Sequence, residues 1–145
     1  MKHTQQNILK ILKDKRERLT PVREALVKLF VKNQEQPLSA PEICEQLRKS
    51  GLRSNKTTIY RQLEDLLQLG ILETVNFEDG KIRYELSGDH HHHLVCIYCL
   101  EVQDAAAGEE LQKFESAIGR RYHFKVRRHS LEFYGICRKC QNKKG

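Results

Sequence analysis

Along the first half of the chain, apolar side chains recur at three- and four-residue intervals, the period of helices buried on one face. In "NILKILKDK" (7–15), Ile8, Ile11 and Leu12 share a face opposite a lysine-rich one. "LTPVREALVKLFVK" (19–32) follows with the stripe Val22, Leu26, Leu29 and Phe30. Thr20 is suited to cap this helix, and Pro21 occupies its first position, where the missing N–H has no intrahelical partner to lose. In "SAPEICEQLRKSG" (39–51), Ser39 caps, Ile43 and Leu47 turn inward and Gly51 stops the helix. "SNKTTIYRQLEDLLQLG" (54–70) predicts a fourth helix, capped by Ser54 and stopped by Gly70, with Ile59, Leu63, Leu66 and Leu67 inward.

After Gly70 the period shortens to that of extended chain. "ILETVNF" and "KIRYEL" flank "EDG", whose Gly80 is free to take a positive φ, so a β-hairpin is predicted. Short helices followed by a hairpin outline a winged helix, a variant of the helix-turn-helix. Beyond "SGDHH" (87–91) come a strand "HLVCIYC" (93–99), a helix "GEELQKFESAIGRRYHF" (108–124) and a strand "HSLEFYGIC" (129–137) that runs into "CRKC". The predicted class is α+β: a winged helix-turn-helix domain over residues 1–86, a hinge at 87–90 and a small α/β domain over 91–145.

Composition sharpens this picture. Of the 145 residues, 39% are hydrophobic and 31% charged, and no apolar run approaches the roughly 20 residues that span a bilayer. "MKHTQQNILK" lacks the apolar core of a secretion signal, so a cytoplasmic setting without membrane association is expected. The five cysteines then meet reducing conditions, which favour metal binding or redox sensing over structural disulfides. Net charge is +7 and unevenly spread. Residues 1–72 hold 14 Lys/Arg against 8 Asp/Glu, and residues 73–145 hold 12 against 11. The first domain is thus suited to a polyanion such as nucleic acid.

Cys96 and Cys99, with Cys137 and Cys140, form two Cys-x-x-Cys pairs. Two such knuckles offer four thiolates, the set that closed structural zinc sites prefer, and in so small a domain the ion would carry much of the folding free energy. The rival reading, a redox pair opening a helix in a thioredoxin-like unit, lacks its βαβ context here. Cys44 reads as a small buried side chain.

"HHHHLVCIYC" (90–99) places four histidines beside the first pair. Alternation along a strand sends His91 and His93 one way and His90 and His92 the other, which suits two sites better than one. Carboxylates or further histidines would complete them: Glu85, Glu73, Asp104, Glu109, Glu110 and His129 are the candidates. Imidazole–carboxylate sets are compatible with Zn(II), Fe(II) and Mn(II).

Taken together, "LTPVR" (19–23), "TTIYRQL" (57–63), "GKIRYEL" (80–86), "HHHHLVCIYC" and "HSLEFYGICRKC" (129–140) resemble the ferric uptake regulator (Fur) superfamily of metal-responsive repressors, over almost the whole chain. The resemblance implies a homodimer joined by the C-terminal domain, binding an inverted-repeat operator in double-stranded DNA, and no enzymatic activity. Tyr60 and Arg61, with Thr57, would read the major groove, and Lys15, Arg16, Arg18 and Arg23 would meet phosphates or the minor groove. Cys96, Cys99, Cys137 and Cys140 match the structural zinc ligands. Glu85, His91 and His93 match the regulatory metal site, which Glu73 would complete. His90, His92, His129 and Glu109 or Glu110 (of which Glu110 is preferred) match a second metal site, and Asp104 resembles a ligand of peroxide-sensing members.

The chain departs from the family pattern at several points. Gln36 stands near the position of a loop histidine found in iron, manganese and peroxide sensors, Ser87 where zinc sensors commonly have cysteine, and Leu100 where the second Cys of the knuckle is usually followed by glycine. The loss of the loop histidine tilts the expectation toward zinc sensing, with iron next and manganese or peroxide sensing as further readings. From other classes, a zinc hydrolase using His91, His93 and Glu85 has no use for the Tyr60–Arg61 helix, and a metal-storage protein would bind no DNA.

Overall fold

In the computed structural model, residues 4–88, 92–106, 109–127 and 129–143 are described. The chain divides into two compact units, residues 1–89 and 90–145.

The first unit contains α1 (Gln5–Asp14), α2 (Pro21–Lys32), β1 (Leu38–Ser39), α3 (Ala40–Lys49), α4 (Lys56–Gln68), β2 (Leu72–Asn76) and β3 (Ile82–Leu86). Its core holds most of the side chains that the periodicity selects: Ile8, Leu12, Leu26, Phe30, Ile43, Leu47, Ile59, Leu63 and Leu66 are buried against one another. Ile11, expected on the same face, is exposed. Thr20 caps α2 by accepting from the Arg23 N–H, and Ser39 and Glu42 form a reciprocal capping box on α3. The cap of α4 is Asn55, which accepts from the Thr58 N–H, and not the expected Ser54. Both residue types cap well, so the register of the helix decides between them. Gly51, Gly70 and Gly80 all take positive φ, as their predicted stop and turn roles require.

The sheet order is β1-β3-β2, antiparallel throughout. The β2–β3 hairpin is the wing. Its tip is fixed by the Arg83 guanidinium, which donates to both Asp79 oxygens at 2.7 and 3.0 Å and lies over the Phe77 ring. Strand β1 is two residues long, too short to leave a periodic signal, and it covers the outer side of β3.

The second unit holds β4 (His92–Cys96), β5 (Val102–Ala105), α5 (Glu109–Tyr122), β6 (Glu132–Gly135) and a short α6 (Arg138–Asn142). The sheet order is β5-β4-β6, with β4 antiparallel to β5 and parallel to β6. The expected strand over 93–99 gives way to a turn after Cys96, and the expected strand over 129–137 narrows to four residues. Strand β5 and helix α6 have no counterpart in the sequence reading. Among the described residues no helix is long and apolar enough to cross a membrane.

Candidate metal centres and nucleic-acid interface

The four-cysteine cluster follows from strand pairing. Cys96 ends β4, Gly135 lies beside it on β6, and two residues later Cys137 begins the turn into α6, which carries Cys140. The ligand sulfurs of Cys96, Cys99, Cys137 and Cys140 all lie within 4.8 Å of one another. Cys99 Sγ and Cys137 Sγ are 3.7 Å apart, the edge of a tetrahedron whose Zn–S bonds are about 2.3 Å. The donor set, its number and its spacing therefore fit structural zinc.

The thiols are electrostatically unequal. The Cys137 N–H, which donates to Cys96 Sγ at 3.4 Å, together with the N–H groups of Cys99 and Tyr98, pulls Cys96 down to about 6. The neighbouring Cys137 thiol, burial, and the thiols of Cys96 and Cys99 push Cys140 up to about 12. Cys99 is pulled down by the Glu101 N–H but raised overall by burial and by the Cys96 and Cys137 thiols. Leu100 takes φ 63°, and its N–H donates to the Cys96 carbonyl at 3.0 Å. The leucine thus adopts the left-handed turn that glycine would provide.

The histidines separate as strand alternation requires. His92 and His93, both buried, find different partners. The His92 ring stacks on His129 with centroids 5.0 Å apart, and their Nε2 atoms are 3.5 Å apart. His93 lies opposite Asp104 on β5 and Glu132 on β6, with its Nε2 3.9 Å from Asp104 Oδ1. His90 and His91 fall outside the described residues. The carboxylate at His129 is Glu115, which bonds to Nδ1, whereas Glu109 and Glu110 are exposed in the first turn of α5. The expectation of Glu109 or Glu110 beside His129 is corrected accordingly. Sequence reasoning missed Glu115; Leu111, Glu115 and Ile118 are half-buried at helical spacing, and a carboxylate within that apolar stripe is the signal that would have found it.

In the first unit, Glu73 and Glu85 are directly opposed across β2 and β3, Glu85 buried and Glu73 half-buried. The exposed face of α4 carries Thr57, Tyr60 and Arg61, opposite Ile59, Leu63 and Leu66. Lys15, Arg16 and Arg18 are exposed on the loop before α2, with the Lys15 ammonium donating to the Leu69 carbonyl at 2.7 Å. Arg23 departs from the expectation of a phosphate contact. It is 5% exposed, and its guanidinium donates to Glu17, Gln62, Asp65 and the Arg18 carbonyl. Gln62 and Asp65 escaped the sequence reading because their partner lies about forty residues away.

A family model described as the ferric uptake regulator family matches residues 14–134. The chain belongs to the ferric uptake regulator family. It is 38% identical over 130 residues to the ferric uptake regulation protein of Bacillus subtilis, covering 87% of each chain. The structure of the Vibrio cholerae ferric uptake regulator is similar, with a TM-score of 0.73, 32% identity and coverage of 88% of this chain and 98% of that one. The Francisella tularensis regulator, solved with iron, gives a TM-score of 0.72 and 26% identity over 86% of this chain and 94% of that one. Proteins of the ferric uptake regulator family are transcription regulators, and this member is a metal-responsive transcriptional repressor.

Proposed function

We propose that the protein is a homodimeric, iron-responsive repressor whose grip on double-stranded DNA is governed by a divalent-metal site built from Glu85, His91 and His93 and completed by Glu73. Register supports the carboxylate half of that set. Glu73 and Glu85 face each other across an antiparallel pair, where like charges repel and a shared cation removes the repulsion. His92, His129 and Glu115 come together as a second set of the same chemistry, to which the sequence reading adds His90, and Asp104 stands beside His93. A bound divalent cation supplies positive charge and fixed coordination directions.

The chain's own residues supply the DNA contacts. Thr57, Tyr60 and Arg61 enter the major groove, with the Tyr60 ring against a thymine methyl and Arg61 on base edges or phosphate. Lys15, Arg16 and Arg18 neutralise phosphates, so affinity falls steeply with salt. The second copy of the chain covers the second unit. Helix α5 buries none of its described residues, Phe114 and Tyr122 are each 63% exposed, and β6 is a sheet edge. Two copies present two α4 helices to half-sites about one helical turn apart. Such a repressor works in the cytoplasm, where its thiols stay reduced.

The observation that carries this reading is the exposed Thr57–Tyr60–Arg61 face on a helix-turn-helix. Iron is favoured by likeness to proteins named for ferric uptake. A second reading, zinc, is favoured by Gln36 at the place of a loop histidine. The test is titration of a duplex, selected by the protein from a random pool, in anaerobic Fe(II), Zn(II) and Mn(II), with chelator reversal. Iron sensing requires tight binding in Fe(II) that the paired His91→Ala and His93→Ala variant loses. A response to Zn(II) alone establishes the second reading, and binding indifferent to metal and chelator overturns both.

A further inference from the structure

Three exposed cations, Lys15, Arg16 and Arg18, sit on one short loop, and a loop of this kind holds its charges in place only if something fixes it from beneath. Part of the answer is local. Arg16 takes a left-handed φ of 57°, and the N–H groups of Arg16 and Glu17 return to the carbonyls of Lys13 and Leu12 at 3.0 and 2.9 Å. That arrangement ends α1 but does not set the loop against α4.

Arg23 does. Its side chain is 6% exposed, and its guanidinium meets acceptors from two directions. From the loop, Glu17 Oε2 and the Arg18 carbonyl both accept from Nη1, at 3.0 and 3.1 Å. From α4, Gln62 Oε1 accepts from Nε at 2.9 Å and Asp65 Oδ2 from Nη2 at 3.4 Å. A planar fork of donors fixes angles as well as distances, which a lysine ammonium does not. The Lys15 ammonium adds a second tie, to the Leu69 carbonyl at the end of α4. Asp65 also stands four residues after Arg61, the spacing at which the two would pair on a helix. That carboxylate meets Arg23 instead, and among the described residues Arg61 has no ion pair.

We propose that Arg23 is a positioning residue for DNA binding: it sets the basic loop at a fixed place beside α4, so that Lys15, Arg16 and Arg18 and the Tyr60–Arg61 face engage one duplex together. The proposal rests on the DNA-binding reading given above. Two contacts on one rigid body reinforce each other, because the second forms without a fresh loss of chain freedom, and loosening the joint forfeits that gain.

The two acids make the idea testable by sign. Were Glu17 and Asp65 simple surface charges, removing either from a basic face would tighten binding to a polyanion. As partners of Arg23, their removal weakens it. The experiment uses the full chain saturated with Fe(II), a duplex selected by the parent from a random pool, and a random-sequence duplex as control. Glu17→Ala and Asp65→Asn, assayed well below their own thermal midpoints, are each expected to bind the selected duplex about tenfold more weakly, with a smaller loss on the random duplex. Both acids are more than a third exposed, so these variants fold even if Arg23→Lys does not. Unchanged or tighter binding by both variants overturns the positioning role. Arg61→Ala, measured in parallel, separates the two claims: if it weakens binding while the acid variants do not, the DNA reading stands and the strut falls. If the parent selects no duplex, both fall.

Discussion

Glu115 on α5 bonds to Nδ1 of His129, whose ring in turn stacks on His92. A carboxylate on one nitrogen fixes the tautomer and leaves the other nitrogen to a metal, so Glu115 orients His129 as much as it could ligate. Glu115→Ala is expected to lower metal affinity at this second site by roughly tenfold to a hundredfold. Glu110→Ala should leave it unchanged. Competition against a colorimetric chelator, with the four-cysteine zinc retained, distinguishes the two; equal effects would place the site elsewhere.

Zinc uptake by the four thiols should expel protons near neutral pH. Cys96, at about 6, is already largely thiolate there, whereas Cys140, at about 12, and the raised Cys99 hold theirs. A metal-free sample in weak buffer is expected to acidify on addition of zinc, and Cys140→Ser to release less. Stripping the ion should also lower the melting of the second unit, since few of its side chains are buried.

Leu100 occupies a backbone region that L side chains enter only at a cost, and its own side chain is 61% exposed. Leu100→Gly therefore relieves strain and removes little packing. After the entropy that glycine loses on folding, the expected gain is about 0.5–1 kcal/mol in the zinc-bound protein, read from chemical denaturation. Destabilisation instead would mean that Leu100 has a packing partner.

At the wing tip, the Arg83 guanidinium beside Asp79, helped by the Lys81 N–H, holds the Asp79 carboxyl down at about 2. A depressed carboxyl stabilises the folded state above its ordinary value of 3.8, and that contribution is lost as pH falls through about 2. NMR titration should show Asp79 ionising near 2 in the parent and close to 3.8 in Arg83→Gln. Asp79 reaches solvent, so added salt should narrow the difference.

The helices of the first unit were legible because each buries one stripe against a shared core, so Leu26, Ile43 and Leu63 announce themselves by spacing. The cysteine site was legible for a different reason, since Cys-x-x-Cys carries its own geometry. What escaped was set by packing between segments far apart in the chain. Arg23 reads as one more basic residue until Gln62 and Asp65 are seen above it. Glu115 lies on an exposed helix whose inner stripe is faint, and β5 becomes a strand only by pairing with β4. The register that sets Glu73 against Glu85 could be read from the hairpin, but their burial could not.

The thiolates come from opposite ends of the second unit, Cys96 and Cys99 near its start and Cys140 close to the C-terminus. The first unit, made of short-range helical contacts, therefore acquires its structure on the ribosome well before the second can. Until the last cysteine leaves the exit tunnel, a nascent chain already has the core of its first unit while the thiolate set of the second is incomplete. Truncation before Cys140 removes one of the four thiolates and leaves the zinc ligand set incomplete.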